Sequence, residues 1–136
     1  MELTAAETAE VWAERIAGYD ASHSAAICIA QCDDILVGMS GIGRGHWPKT
    51  HHSSTLWGVY AKLEWRGLHI GKAVVNGCLD WAKVSGVTIV KLGVNITNTV
   101  AIQRYKHCGF TEYGVEPRVI CVNGVYHDEL LMVKLL

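Results

Sequence analysis

The chain has 136 residues, with 12 Lys+Arg against 13 Asp+Glu, half of it apolar, 14 Gly and 2 Pro, which fits one globular domain over 1–136. A net charge of -1 with seven uncharged His supplies no positive field for nucleic acid, and no run approaches the roughly 20 apolar residues that cross a bilayer. The opening Met1-Glu2-Leu3-Thr4 lacks the basic and apolar regions of a signal peptide, so the expectation is a cytoplasmic protein with neither a nucleic-acid nor a membrane partner.

Residues 4 to about 16 place Ala6, Ala9, Val11, Trp12, Ala13 and Ile16 near helical spacing, with Thr4 as cap and Glu7 three residues on, which predicts an N-terminal helix. Residues 25–31 and 35–42 read as strands joined by a tight turn at Asp33-Asp34. A polar loop over 44–53 follows, then a β-favouring strand over 55–63. After the turn at 66–71, Val74, Val75, Cys78, Leu79 and Ala82 trace one face of a helix that stops near Gly86. The alternation repeats with a strand at 88–94, a turn at 95–97 and a helix at 98–107 closed by Gly109. Strands at 110–115, 118–122 and 125–134 complete the chain, the last two joined by Asn123-Gly124, a pair suited to a type I′ turn. The fold class is a mixed α/β sheet.

The five cysteines, at 28, 32, 78, 108 and 121, sit in apolar runs without CxxC spacing and read as buried free thiols. Adjacent His51 and His52 on a polar loop read as solvated, and no metal site is expected.

Chemistry is concentrated in Trp65-Arg66-Gly67-Leu68-His69-Ile70-Gly71, which leads from a strand into the helix beginning near Lys72. Such a turn aims several unpaired backbone N–H groups in one direction and can hold phosphate, with Arg66 or Lys72 adding charge. The same turn also reads as no more than a tight connection. Neither G-x-x-x-x-G-K-[ST] nor G-x-G-x-x-G occurs, which argues against Mg-nucleotide hydrolysis and a dinucleotide fold.

With its neighbours, this segment resembles the GNAT superfamily of acetyl-CoA-dependent N-acetyltransferases. The family pattern R/Q-x-x-G-x-G/A is matched by the run from Arg66 to Gly71, except that His69 stands where the first motif glycine belongs. A second family motif, Asn-x-x-Ala-x-x-x-Tyr before Gly-Phe, is met by Asn98, Ala101, Tyr105, Gly109 and Phe110. Leu56-Trp57-Gly58-Val59-Tyr60-Ala61 looks like the family's strand before the pyrophosphate loop, and Gly124, Tyr126, Asp128 and Met132 look like its C-terminal strands. The resemblance covers roughly residues 25–136. It implies a GNAT-like acyltransferase fold, here without the usual first strand.

By the same resemblance, the cofactor's pyrophosphate rests on the N–H groups of Gly67, Leu68, His69, Ile70, Gly71 and Lys72, with Arg66 beside them. The thioester lies along Val59, Tyr60 and Ala61, Asn98 holds the pantetheine arm, and Tyr105 protonates the departing thiolate. The implied reaction is direct attack by a primary amine, of a small molecule or a peptide, on acetyl-CoA, without an acyl-enzyme and without metal. The alternative is a non-catalytic CoA-binding or protein-interaction module of the same fold. His51, His52, Glu64 and a chain of waters are all open as the base that takes the amine proton, whereas Asp128 and Glu129 read as hairpin surface charges. A sheet edge left uncovered by a missing first strand would be covered in a homodimer.

Overall fold

A computed structural model of the chain describes residues 16–17, 24–65 and 69–136. Its elements run β1 (Ile16–Ala17), β2 (Ala25–Cys32), β3 (Ile35–Arg44), β4 (Ser53–Ala61), a 3-10 turn (Leu63–Trp65), α1 (Ile70–Val84), β5 (Ile89–Asn95), α2 (Thr99–His107), β6 (Thr111–Val122) and β7 (Val125–Leu135). The expected helix over 4–16 lies outside the described residues except at Ile16, which is in β1 and pairs antiparallel with β2. The expected absence of a first strand also falls on residues outside the description.

One seven-stranded sheet has the order β1-β2-β3-β4-β5-β7-β6. Both hairpin turns follow from their residues. Asp33 and Asp34 take φ of 48° and 66°, and Asn123 and Gly124 take 51° and 77°, the doubly left-handed backbone of a type I′ turn. The sheet is antiparallel apart from β4 beside β5, which the α1 crossover makes parallel.

Alternation along the strands sorts the two faces of the sheet. Ala26, Cys28 and Ala30 of β2, Val90, Leu92 and Val94 of β5, and Leu130 and Met132 of β7 join the buried faces of α1 and α2 in one core cluster. Ile70, Val74, Val75, Cys78, Leu79 and Ala82 supply the α1 side of it, at the 3- and 4-residue spacing of a helix stripe. Ala101, Ile102 and Tyr105 supply the α2 side. This helix-covered face carries the core, and the other face of the sheet carries the odd-numbered residues of β5 and β7.

Four sequence expectations are corrected. The strands expected at 110–115 and 118–122 are one strand, β6, whose register slips between Glu112 and Gly114 and again between Glu116 and Ile120. At the second slip Arg118 has φ 56° and donates its N–H to the Asp128 carboxylate at 2.9 Å, so a bulge beside Pro117 bends the strand without ending it. The strand expected at 55–63 stops at Ala61, and α1 starts at Ile70 where Lys72 was expected. Of the five cysteines, Cys28, Cys78 and Cys108 are buried as expected, but Cys32 is half-buried and Cys121 is exposed on the β6–β7 hairpin.

Candidate active site

Strands β4 and β5 pair over only three residues, Ser53, Ser54 and Thr55 against Ile89, Val90 and Lys91. Beyond them β4 runs on to Ala61 and β5 to Asn95 with no ladder between, so the sheet opens into a slit. The cause lies in β4. Gly41 pairs with Trp57 and Met39 with Tyr60, so β4 holds an extra residue there, and Gly58 takes φ 62°. Such a bulge turns the strand out of line and leaves backbone polar groups without strand partners.

At the end of β4 a cleft of about 260 Å³ is lined by Ala61, by His69, Ile70, Gly71 and Lys72 at the start of α1, and by Val100, Gln103, Arg104 and His107 of α2. The first main-chain bond of α1 runs from Ala73 N–H to the His69 carbonyl at 3.0 Å. The N–H groups of Ile70, Gly71 and Lys72 therefore precede the helix's own ladder, as the first groups of any helix do. Among the described residues no side chain caps this end: His69, in the left-handed region (φ 58°, ψ 24°), makes no cap bond. Left-handed backbone at a non-glycine residue costs about 1–3 kcal/mol, which is how the chain accommodates a histidine at a family glycine position.

Gly71 has a separate role. A Cβ there would lie 2.4 Å from Arg104 Nε, so the bare backbone lets the Arg104 side chain cross the first turn of α1. Arg104 and Lys72 thereby bring two cations to the open helix end, where the helix dipole also favours an anion.

Tyr105 lies on the buried side of α2, 7% exposed, in the core cluster that also holds Ala61, Leu92 and Val94. Its ring meets Phe110 edge-on with centroids 6.0 Å apart. Burial pushes the phenol above its ordinary value of 10, while the Arg104 guanidinium, through its charge and a side-chain hydrogen bond, pulls it back. Asn98 caps α2, its side-chain oxygen accepting the Ala101 N–H at 3.2 Å.

The expected cofactor residues divide as follows. His69, Ile70, Gly71, Lys72 and Ala61 line one cleft, Val59 and Tyr60 lie on the bulged part of β4, and Asn98 and Tyr105 belong to α2. Arg66, Gly67 and Leu68 lie outside the described residues. His51 and His52 precede β4 at the paired end of the β4–β5 ladder. The His52 carbonyl accepts from Thr88 N–H there, and the His51 ring lies against the Gly45 carbonyl. They lie at the end of β4 away from the slit. Glu64 is exposed in the 3-10 turn. Val100, Gln103, Arg104 and His107 went unread in the sequence, although their 3- and 4-residue spacing marks a single helix face.

Residues 2–110 match the acetyltransferase (GNAT) family. The chain belongs to that family. An uncharacterised N-acetyltransferase of Methanocaldococcus jannaschii is 39% identical over 54 residues, 40% of this chain and 24% of that protein, so the chain spans about a quarter of this relative's length. The crystal structure of ribosomal-protein-alanine N-acetyltransferase from Brucella melitensis superposes with a TM-score of 0.76 at 26% identity, covering 82% of this chain and 69% of that one. A GNAT-family acetyltransferase from Streptococcus pneumoniae gives 0.80 at 19% identity over 100% and 98% of the two chains. A Salmonella typhimurium protein solved with its cofactor acetyl-CoA gives 0.77 at 18% identity over 85% and 66%. The last two likenesses show the GNAT fold. Among the described residues no helix is long and apolar enough to cross a membrane, and no group of three His, Cys, Asp or Glu is placed to hold a metal.

Proposed function

We propose that this GNAT domain transfers an acetyl group from acetyl-CoA to a primary amine by direct attack. The observation that carries the reading is the uncapped start of α1 opening into a cleft that Lys72 and Arg104 make cationic, beside the slit between β4 and β5. The donor set fits a nucleotide pyrophosphate. It offers fixed N–H groups, two basic side chains and a glycine that clears the approach.

Bound acetyl-CoA supplies an activated acyl group and a thiolate leaving group. Ile70, Gly71 and Lys72 N–H, with Arg104 and Lys72, would hold the phosphates, and the Asn98 side-chain NH2, free of its cap bond, would meet the pantetheine arm. The bulged backbone of β4 around Val59 and Tyr60 offers N–H groups to charge developing on the carbonyl oxygen, where one preorganised donor contributes about 3–4 kcal/mol. Tyr105 serves as the acid. Its raised value keeps the hydroxyl protonated at neutral pH, and a neutral donor is what a departing thiolate requires.

The Brucella relative acts, by its name, on the alanine of a ribosomal protein, so a peptide beginning with alanine belongs in the acceptor panel beside small diamines. Calorimetry with acetyl-CoA and thiol release with that panel test the reading. Binding with turnover is the expected result. Binding without turnover fits a non-catalytic CoA-binding module, and no binding overturns both.

A further inference from the structure

The cleft, α1 and α2 lie on one face of the sheet, so a thioester held in the slit is reached from the helix side, and among the described residues no helix covers the opposite face. Along β5 that opposite face carries Ile89, Lys91, Gly93 and Asn95, since Val90, Leu92 and Val94 point into the core. Along β7 it carries His127, Glu129, Leu131 and Val133, since Leu130 and Met132 are buried. On the β4 side of the slit Trp57 and Tyr60 are exposed, the Trp57 ring lying over Gly41.

Glu129 stands out on this face. It pairs with Asn95 across the β5–β7 ladder, but its carboxylate leans diagonally across β5 onto Gly93. A Cβ on Gly93 would lie 2.6 Å from Glu129 Oε1. Gly93 has no left-handed φ to explain a glycine, and the room above it is taken by the carboxylate. Asn95, the nearer ladder partner, is already committed, its side-chain oxygen accepting from the N–H and hydroxyl of Thr97. Glu129 itself is half-buried, with no ion-pair or hydrogen-bond partner among the described residues. The other charged and titratable groups on this face are Lys91 two residues before Gly93 on β5, His127 two residues before Glu129 on β7, Glu116 opposite Glu129 on β6, Tyr113 of β6 in a cleft with Lys91 and Val133, and Tyr60 on β4.

We infer that Glu129 is the acceptor-side catalytic residue: a carboxylate that Gly93 admits to the edge of the slit, where it holds the incoming ammonium and takes its proton. The inference rests on the acetyl-transfer reading. An ammonium is not a nucleophile, so a proton must leave before attack, and a carboxylate both attracts the cation and accepts that proton. The nitrogen then forms the C–N bond as the C–S bond breaks. Tyr105 gives the thiolate one proton and regains it from solvent. Two of the three ammonium protons leave by way of Glu129 and one stays on the amide, so one proton in total is released to solvent for each acetyl transferred.

The experiment measures acetyl-CoA affinity by calorimetry and thiol release with putrescine, spermidine, glycinamide and a short peptide beginning with alanine. Glu129→Gln is expected to lower kcat/KM for the amine about 10²- to 10⁴-fold with acetyl-CoA affinity unchanged. The deficit should shrink as pH rises toward the amine's own pKa, because solution then supplies free amine, a recovery that a purely structural glutamate would not show. Gly93→Ala, which displaces the carboxylate, should lower the rate at least tenfold in the wild-type background and have no effect in a Glu129→Ala background. Near-normal turnover by Glu129→Gln, or an undiminished Gly93→Ala deficit when Glu129 is absent, overturns this inference and leaves the acetyl-transfer reading standing. A wild-type chain that acetylates none of the four amines overturns both.

Discussion

The two helices begin in opposite ways. At the start of α2, Asn98 turns its side chain back to accept the Ala101 N–H, and the exposed helix end is satisfied by its own sequence. At the start of α1, His69 makes no such bond and holds a left-handed backbone instead, which leaves the N–H groups facing a cationic cleft. The α2 start is fixed by its cap about two turns before Tyr105, and the α1 start is left open. One end spends its polar side chain on stability, and the other accepts strain for access.

Substitutions on each helix can break or sharpen that contrast. The largest effect belongs to Tyr105→Phe, expected to lower kcat for thiol release about 10²- to 10⁴-fold while calorimetry finds acetyl-CoA binding retained. Because burial raises the phenol above 10, the hydroxyl stays protonated until pH exceeds that value. The alkaline fall of the wild-type rate attributable to this group should therefore lie above pH 10, and a fall near pH 8 would remove Tyr105 from the role. Next, Arg104→Ala should weaken acetyl-CoA binding about 10- to 100-fold, the range for losing one charge-assisted contact of about 1.5–3 kcal/mol, with salt narrowing the gap from wild type. Asn98→Ala should cost about 0.5–2 kcal/mol of stability in urea unfolding. Last, His69→Gly should relieve the left-handed strain and raise stability by about 1 kcal/mol, with acetyl-CoA bound at least as tightly; a loss of stability would show that the imidazole does something the backbone does not reveal.

Much of this arrangement was legible in the sequence where local chemistry decides it. The turns at Asp33-Asp34 and Asn123-Gly124 were readable because few residue pairs accept two consecutive left-handed conformations. The core side of α1 was readable from its periodicity, and Asn98 and Tyr105 from a motif. The rest depended on partners distant in sequence. The cleft face of α2 repeats at the same interval as its core face, and only Gly71 on another helix shows which way Arg104 goes. Glu129 reads as one charge on a hairpin until β7 is placed beside β5 and the bare backbone of Gly93 appears under it. The unity of β6 was hidden by Pro117, a residue that usually ends a strand and here sits in a bulge stitched to Asp128.

The short ladder between Ser53–Thr55 and Ile89–Lys91 has a mechanical meaning as well. It is the only backbone seam, among the described residues, between a four-stranded plate and a three-stranded one. Beyond that seam the plates are clamped by side-chain packing against α1 and α2, so a substrate that wedges between them works against the core and not against hydrogen bonds.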